Sequence, residues 1–509
     1  MIKNFKWLLL VSLTFAACNS DDNTAAVVDS SDGLPLTSGS ANFSKYVALG
    51  DSFAAGFSDN ALFIAGQEGA YPNVLAQQFA LVGGGEFKTP FTNDNIGGLL
   101  LGGTVISGPR LYLKDKPIPV TGTPTTEVTA HLSGAFNNLG VPGAKSYHLL
   151  APGYGNPAGV VAGTANPYFA RFASSATTTV LADALSQNPT FFSLWIGGND
   201  ELGYATSGGD PAVNPLTPTA TFNGAYNALV TQLVAGGRKG VVANLPIVTT
   251  LPYFHVIAYN QLTQADLTIG GVNLVNTLNA QLYGPIHGAL NFLGQGDRIK
   301  LLSTTGNNPM IMVDENLQDL SASLKAVLMG GGLDATTATV LGQIFGKARQ
   351  TVPTDLICLS ASARLGKAPS VAIDGIASPS PSLAQLGITF PLPDRYVLLP
   401  SEVAEIEAAT TAYNLIIKTA ADANNLAIVD AKTIMEQLGK PGGIVMDNFT
   451  MTSTFVTGGT FSLDGVHPSP RGYALIANKF IEAINLKYGS NIKGVNLGNY
   501  RILFPAILP

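Results

Sequence analysis

In "YVALGDSFAAGF", from Tyr46 to Phe57, an apolar run breaks into Gly50-Asp51-Ser52. A serine hydroxyl is a poor nucleophile until a base takes its proton. The chain offers five histidines for that work. His131 and His148 sit in or beside loop-like stretches, and His255 and His287 lie in a long middle segment, so these read as structural. His467 differs, because "FSLDGVHPSPRGY" sets Asp464 three residues before it. A tight D-x-x-H turn can bring the carboxylate to one imidazole nitrogen while the other faces a serine. The carboxylate then holds the tautomer and stabilises the imidazolium. Taken alone, the same turn is equally a local Asp–His loop bond.

Two further stretches offer hydrogen-bond donors. "LWIGGNDELGY" ends an apolar run in two glycines, then Asn199 and Asp200. An Asn amide is a neutral donor that can stabilise an oxyanion without competing for protons. It is also an ordinary turn residue beside a capping Asp. In "NNLGVPGA", Gly143 can present its backbone N–H at close range because no side chain blocks it. Gly is equally ordinary turn material. Ser52 is not in a G-x-S-x-G elbow, since Ala54 takes the last position.

These residues need a frame. "YVALG", "TFFSLWIG", "KGVVANLP" and "LAIVDA" read as short buried strands. "YPNVLAQQFALV", "TTVLADALSQ", "FNGAYNALVTQLVAGG", "SEVAEIEAATTAYNLIIKTAADANN" and "PRGYALIANKFIEAIN" read as helices. Ser401 is placed to cap the fourth, with Glu402 and Glu405 near its N-terminus. Apolar strands alternating with helices predict a parallel sheet covered on both faces. In such sheets ligands bind beyond the carboxyl ends of the strands, where Ser52 would sit. Residues 84–135, rich in Gly, Thr and Pro, break the rhythm. So do residues 251–395, read as a helical insertion or cap. The expected division is one α/β domain over 43–250 and 396–509, interrupted by that insertion.

The blocks occur in a definite order: Gly50-Asp51-Ser52, Asn138 to Gly143, Gly197 to Asp200, and Asp464 to Pro468. This ordered set resembles the SGNH (GDSL) hydrolase superfamily. The resemblance implies a flavodoxin-like three-layer α/β/α fold. It makes Ser52 the nucleophile, His467 the general base and acid, and Asp464 its orienting partner. The oxyanion hole would comprise the Ser52 N–H, the Gly143 N–H and the Asn199 amide, with Gly140 a nearby alternative to Gly143. Asp51 and Asp200 would hold the loops. The implied activity is carboxylic ester hydrolysis through an acyl-enzyme, with no cofactor and no metal. The long insertion departs from compact family members and leaves the ester open: lipid, short-chain ester or O-acetylated glycan. A carbohydrate O-acetylesterase and a non-catalytic surface-binding lipoprotein are the alternatives.

Composition narrows the setting. Of 509 residues, 46% are hydrophobic and only 12% charged, about half the usual charged share. The net charge is −6 and no basic block occurs, which argues against nucleic acid as a partner. "MIKNFKWLLLVSLTFAAC" has Lys3 and Lys6, then an apolar run too short to span a bilayer, then small residues before Cys18. This resembles a bacterial lipoprotein signal, which would make residues 1–18 the export segment and Cys18 the lipidated anchor. The expected location is the bacterial outer membrane or cell surface. Residues 19–42, small and polar, are expected to form a flexible tether. Cys358 would then lack a disulfide partner and serve as a small buried hydrophobe.

Overall fold

The computed structural model describes residues 29–508. The expected export segment and Cys18 lie outside the described residues, as does the start of the tether. From Ser30 the tether reading is corrected. Ser31 and Ser40 donate backbone hydrogen bonds to Asn491 and Tyr488, and Asn491 accepts the Thr37 N–H at 2.7 Å. Ala41 and Phe43 are buried. Small polar residues look unstructured in isolation, but here their backbone is satisfied by the end of the last helix.

The domain is α/β around one parallel sheet. In chain order, β1 (Tyr46–Gly50) leads into the single-turn helix α1 (Ser52–Ala55), then α2 (Tyr71–Ala80), β2 (Asn138–Gly140), α3 (Val180–Ser186) and β3 (Phe191–Trp195). Next come α4 (Asn199–Thr206), α5 (Thr219–Val234) and β4 (Lys239–Ala243). After the insertion come α6 (Pro400–Ala423), β5 (Ala427–Val429) and α7 (Pro470–Tyr488). The strand order is β2-β1-β3-β4-β5, all parallel. It is a common order of doubly wound sheets, whose switch point lies between β1 and β3. Every residue of β1 and of β3 is buried, so both faces are covered. On one face Tyr46, Phe191 and Trp195 pack against Phe79 of α2 and Phe480 and Tyr488 of α7. The other face carries α5 and α6, joined by the stacked rings of Phe222 and Tyr413.

Register sets the site. Gly50 lies opposite both Gly140 and Trp195, so β1, β2 and β3 end level. Their next residues, Ser52, Val141 to Gly143 and Gly197 to Asn199, therefore emerge at one sheet edge.

Two expectations are corrected. Helix α6 begins one residue early, at Pro400, so Leu399 rather than Ser401 takes the cap position. Leu399 has no polar side chain, and its N–H is accepted by Glu402 Oε2 at 2.7 Å. The middle segment is not simply helical. It builds its own core from residues such as Leu290, Ile311, Leu324, Phe345 and Leu392. Paired strands Ile311–Val313 with Ala348–Gln350, and Leu356–Ile357 with Val397–Leu398, join its helices and carry it to the start of α6. Cys358 is free and buried, and burial pushes its thiol up to about 12. No helix among the described residues is long and apolar enough to cross a membrane.

Candidate active site

Ser52 opens α1 directly after β1 and is 5% exposed. Its Oγ lies 2.8 Å from His467 Nε2, and His467 Nδ1 lies 2.9 Å from Asp464 Oδ2. The structure thus brings the three predicted residues together across more than four hundred positions of chain. Phe53 and Phe57 flank the imidazole, with ring centroids 5.5 and 4.6 Å away.

The acid is firmly seated. Asp464 Oδ1 accepts the N–H groups of Val466 and His467 at 2.9 and 2.8 Å. Oδ2 accepts the Asn60 N–H at 2.9 Å as well as facing Nδ1. Burial alone would raise this carboxyl. The His467 charge and these hydrogen bonds outweigh it and hold Asp464 at about 2.

Sequence reasoning missed what holds that loop in place. Asp59 and Asn60 both have positive φ, 51° and 66°, between Ser58 and Ala61, which bond each other in both directions. This is a two-residue hairpin turn with both central residues left-handed, which Asp and Asn tolerate better than most residues. Asn60 reaches Asp464, while Asp59 accepts the Leu463 N–H at 2.9 Å and donates its own N–H to Ser462 Oγ. The signal was "SDNA" itself, whose turn pair Asp59-Asn60 lies seven and eight residues beyond Ser52.

The donors come next. Ser52 is the first residue of its helix, so its N–H has no intrahelical carbonyl to meet. Val141-Pro142-Gly143-Ala144 closes a turn through Ala144 N–H to Val141 O at 3.0 Å. Gly143 has φ +79°, the value a type II turn needs at its third residue, where a side chain would be strained. Its N–H donates no hydrogen bond within the described residues. Asn166 Nδ2 holds the Pro142 carbonyl at 2.8 Å. Because C=O and N–H of one planar peptide point opposite ways, this turns the Gly143 N–H away from Asn166. Asn166 is a second residue the sequence reading missed; nothing local marks it beyond a cap before Pro167.

Gly140 is already committed. Its N–H donates to Asn138 Oδ1, and a Cβ there would lie 2.3 Å from Ala55 N. It packs α1 against β2, so Gly143 is the free donor of the two. Asn138 Nδ2 completes that clamp on Ala54 O at 2.9 Å.

Asn199 begins α4 just past β3. Gly197 has φ +125°, and a Cβ there would strike Phe222 at 2.9 Å, so glycine is required for the chain to turn. Asn199 Nδ2 donates to Ala144 O at 3.1 Å, tying it to the Gly143 turn and leaving its second hydrogen available. Asp200 accepts both the N–H and the hydroxyl of Ser146 at 2.7 and 2.8 Å, a second tie between the same segments. Asp51 accepts the Phe53 N–H at 3.0 Å, and burial pushes its carboxyl up to about 7.

The other histidines serve structure. His131, His255 and His287 each meet a backbone carbonyl, and His148 Nδ1 accepts the Lys145 N–H.

Ser52 and Asn199 line one cavity with Asp51, Phe53, Trp195 and Leu251. Phe53, Trp195, Pro246 and Leu251 also border a second, small apolar cavity lined further by Met435 and Leu438. A serine with a base, an anchored acid and adjacent N–H donors can carry out acyl transfer. No family model matches the chain, and no curated protein or solved structure matches it either.

Proposed function

We propose that the protein is a serine ester hydrolase of the SGNH (GDSL) type. The observation that carries this reading is the continuous hydrogen-bond chain Ser52–His467–Asp464 at the carboxyl edge of a parallel sheet. Ser52 Oγ attacks the ester carbonyl carbon while His467 Nε2 takes the hydroxyl proton. The carbonyl oxygen becomes an oxyanion facing the N–H groups of Ser52 and Gly143 and the Asn199 amide. Collapse breaks the bond to the alcohol oxygen, which leaves with the proton from His467. Water then attacks the acyl-enzyme, passing a proton to His467, and the acid is released as Ser52 regains its hydrogen.

The apolar side chains that line the cavity of Ser52, among them Phe53, Trp195, Leu245 and Leu251, favour an acyl group longer than acetyl. The test is hydrolysis of p-nitrophenyl acetate, butyrate, octanoate and palmitate, with octanoate expected to exceed acetate in kcat/KM. Failure to turn over any of these esters counts against the reading. For the oxyanion donors, Asn199→Ala is expected to lower kcat about 100- to 1000-fold with little change in KM. An unchanged kcat removes Asn199 from that role.

The N-terminal segment extends the proposal to an exported protein anchored through Cys18. Cys18→Ala is then expected to leave the membrane fraction, as read by fractionation of the expressing cells.

A further inference from the structure

Away from the triad, the carboxylates of Glu315, Asp394 and Glu402 converge, with one oxygen of each within 4.8 Å of the others. Glu315 follows the strand Ile311–Val313, and Asp394 opens the turn Asp394–Tyr396, so both belong to the insertion. Glu402 stands in the first turn of α6. None of the three has an ion-pair partner among the described residues. Lys347, whose charge reaches Asp394, gives its ammonium instead to the Glu315 carbonyl oxygen at 2.5 Å.

The second observation lies in single atoms. Glu402 is 4% exposed, and its Oε1 has no hydrogen-bond partner. Asp394 Oδ1 is likewise buried and unpartnered. A buried polar atom left unpaired is costly, and a buried carboxylate more so. Here two residues of one carboxylate cluster each bring such an atom. Glu315 is exposed, so the cluster opens to solvent on its side.

The donors are all carboxylate oxygens, which suits a hard cation. Calcium takes six to eight oxygens at about 2.3–2.6 Å in a flexible shell, which carboxylates from separate segments together with water can supply. Magnesium, at about 2.1 Å, demands near-ideal octahedral geometry and sheds its waters reluctantly, so it suits such a site less well. We propose that Glu315, Asp394 and Glu402 bind a calcium ion that ties the insertion to the start of α6. Three protein carboxylates completed by water form a weak site, with a Kd of about 10⁻⁴–10⁻³ M, as in extracellular modules. This inference does not depend on the hydrolase reading.

The test uses the full-length protein, stripped with a chelator and then dialysed. Calcium chloride at about 5 mM is expected to raise Tm by about 2 °C. Terbium is expected to show sensitised emission, because Tyr204 lies within electrostatic reach of Glu402 and Glu315, and calcium should displace it. Glu315→Gln, on an exposed side chain, keeps the fold and should weaken terbium binding at least tenfold; Asp394→Asn should do the same. No Tm shift and no emission would overturn the site, meaning that the carboxyls satisfy one another by protonation. Equal responses in both variants would overturn these ligands. An equal shift with magnesium would overturn the choice of calcium.

Discussion

Ser52→Ala is expected to lower kcat on p-nitrophenyl esters by about 10⁵- to 10⁶-fold while leaving Tm nearly unchanged. The hydroxyl is the only group removed, and its one hydrogen-bond partner among the described residues is His467 Nε2. No neighbouring backbone group is orphaned by the change. Members of a triad act as a unit, so adding His467→Ala to this variant should cost little more. Burst kinetics and fluorophosphonate labelling of the parent, both lost in the variant, would identify Ser52 as the nucleophile. Turnover that survives in Ser52→Ala would remove the serine mechanism outright.

Asp464→Asn should be nearly as damaging, with kcat falling about 10⁴-fold. The reason is the number of donors that face this carboxylate. Oδ1 accepts two backbone N–H groups, and Oδ2 faces both His467 Nδ1 and the Asn60 N–H. An amide has one oxygen and one NH₂ group, so either orientation sets hydrogens against donors. If the NH₂ faces His467, the imidazole is driven to the tautomer that cannot take the Ser52 proton. If it faces Val466, the loop loses its two backbone bonds.

The same residue gives a pH signature in stability. Its folded value of about 2 lies below the ordinary 3.8. The unfolded chain therefore binds the proton more readily between those values, and stability falls with falling pH. The stabilisation from Asp464 is present above about pH 4 and disappears as pH falls through about 2. The Tm gap between parent and Asp464→Asn should accordingly be wide at pH 6 and close toward pH 2. A gap independent of pH would mean that the carboxylate charge contributes nothing to the fold.

The insertion shows how far local pattern reaches. Residues 251–395 read as helical pieces, and helices are present, yet short strands such as Ile311–Val313 pair with partners far along the chain. Three-residue strands carry too little periodicity to be seen without their partners. The tether reading failed for a similar reason, since Ser31, Thr37 and Ser40 owe their order to acceptors at Tyr488 and Asn491. The helix-cap expectation missed by one or two residues, a margin at which side-chain preference alone does not choose the start.

The sequence by itself determined the elements with strong local periodicity: the apolar strands of the sheet and the long helices over 400–423 and 470–488. It also marked Ser52, Asp464, His467, Asn199 and Gly143, because glycine turns at strand ends and a D-x-x-H spacing are local features. Only the tertiary structure decided that these residues meet. The level register of Gly50, Gly140 and Trp195 sets three strand ends side by side, and the loop after Phe461 closes over them. For Gly143 over Gly140, already preferred by its spacing from Asn138, the tertiary structure adds a packing reason, since the Gly140 N–H is taken by Asn138. The roles of Asn60 and Asn166, and the meeting of Glu315, Asp394 and Glu402, rest on contacts between distant segments. Such contacts follow from how whole layers pack, and no window of neighbouring residues contains them.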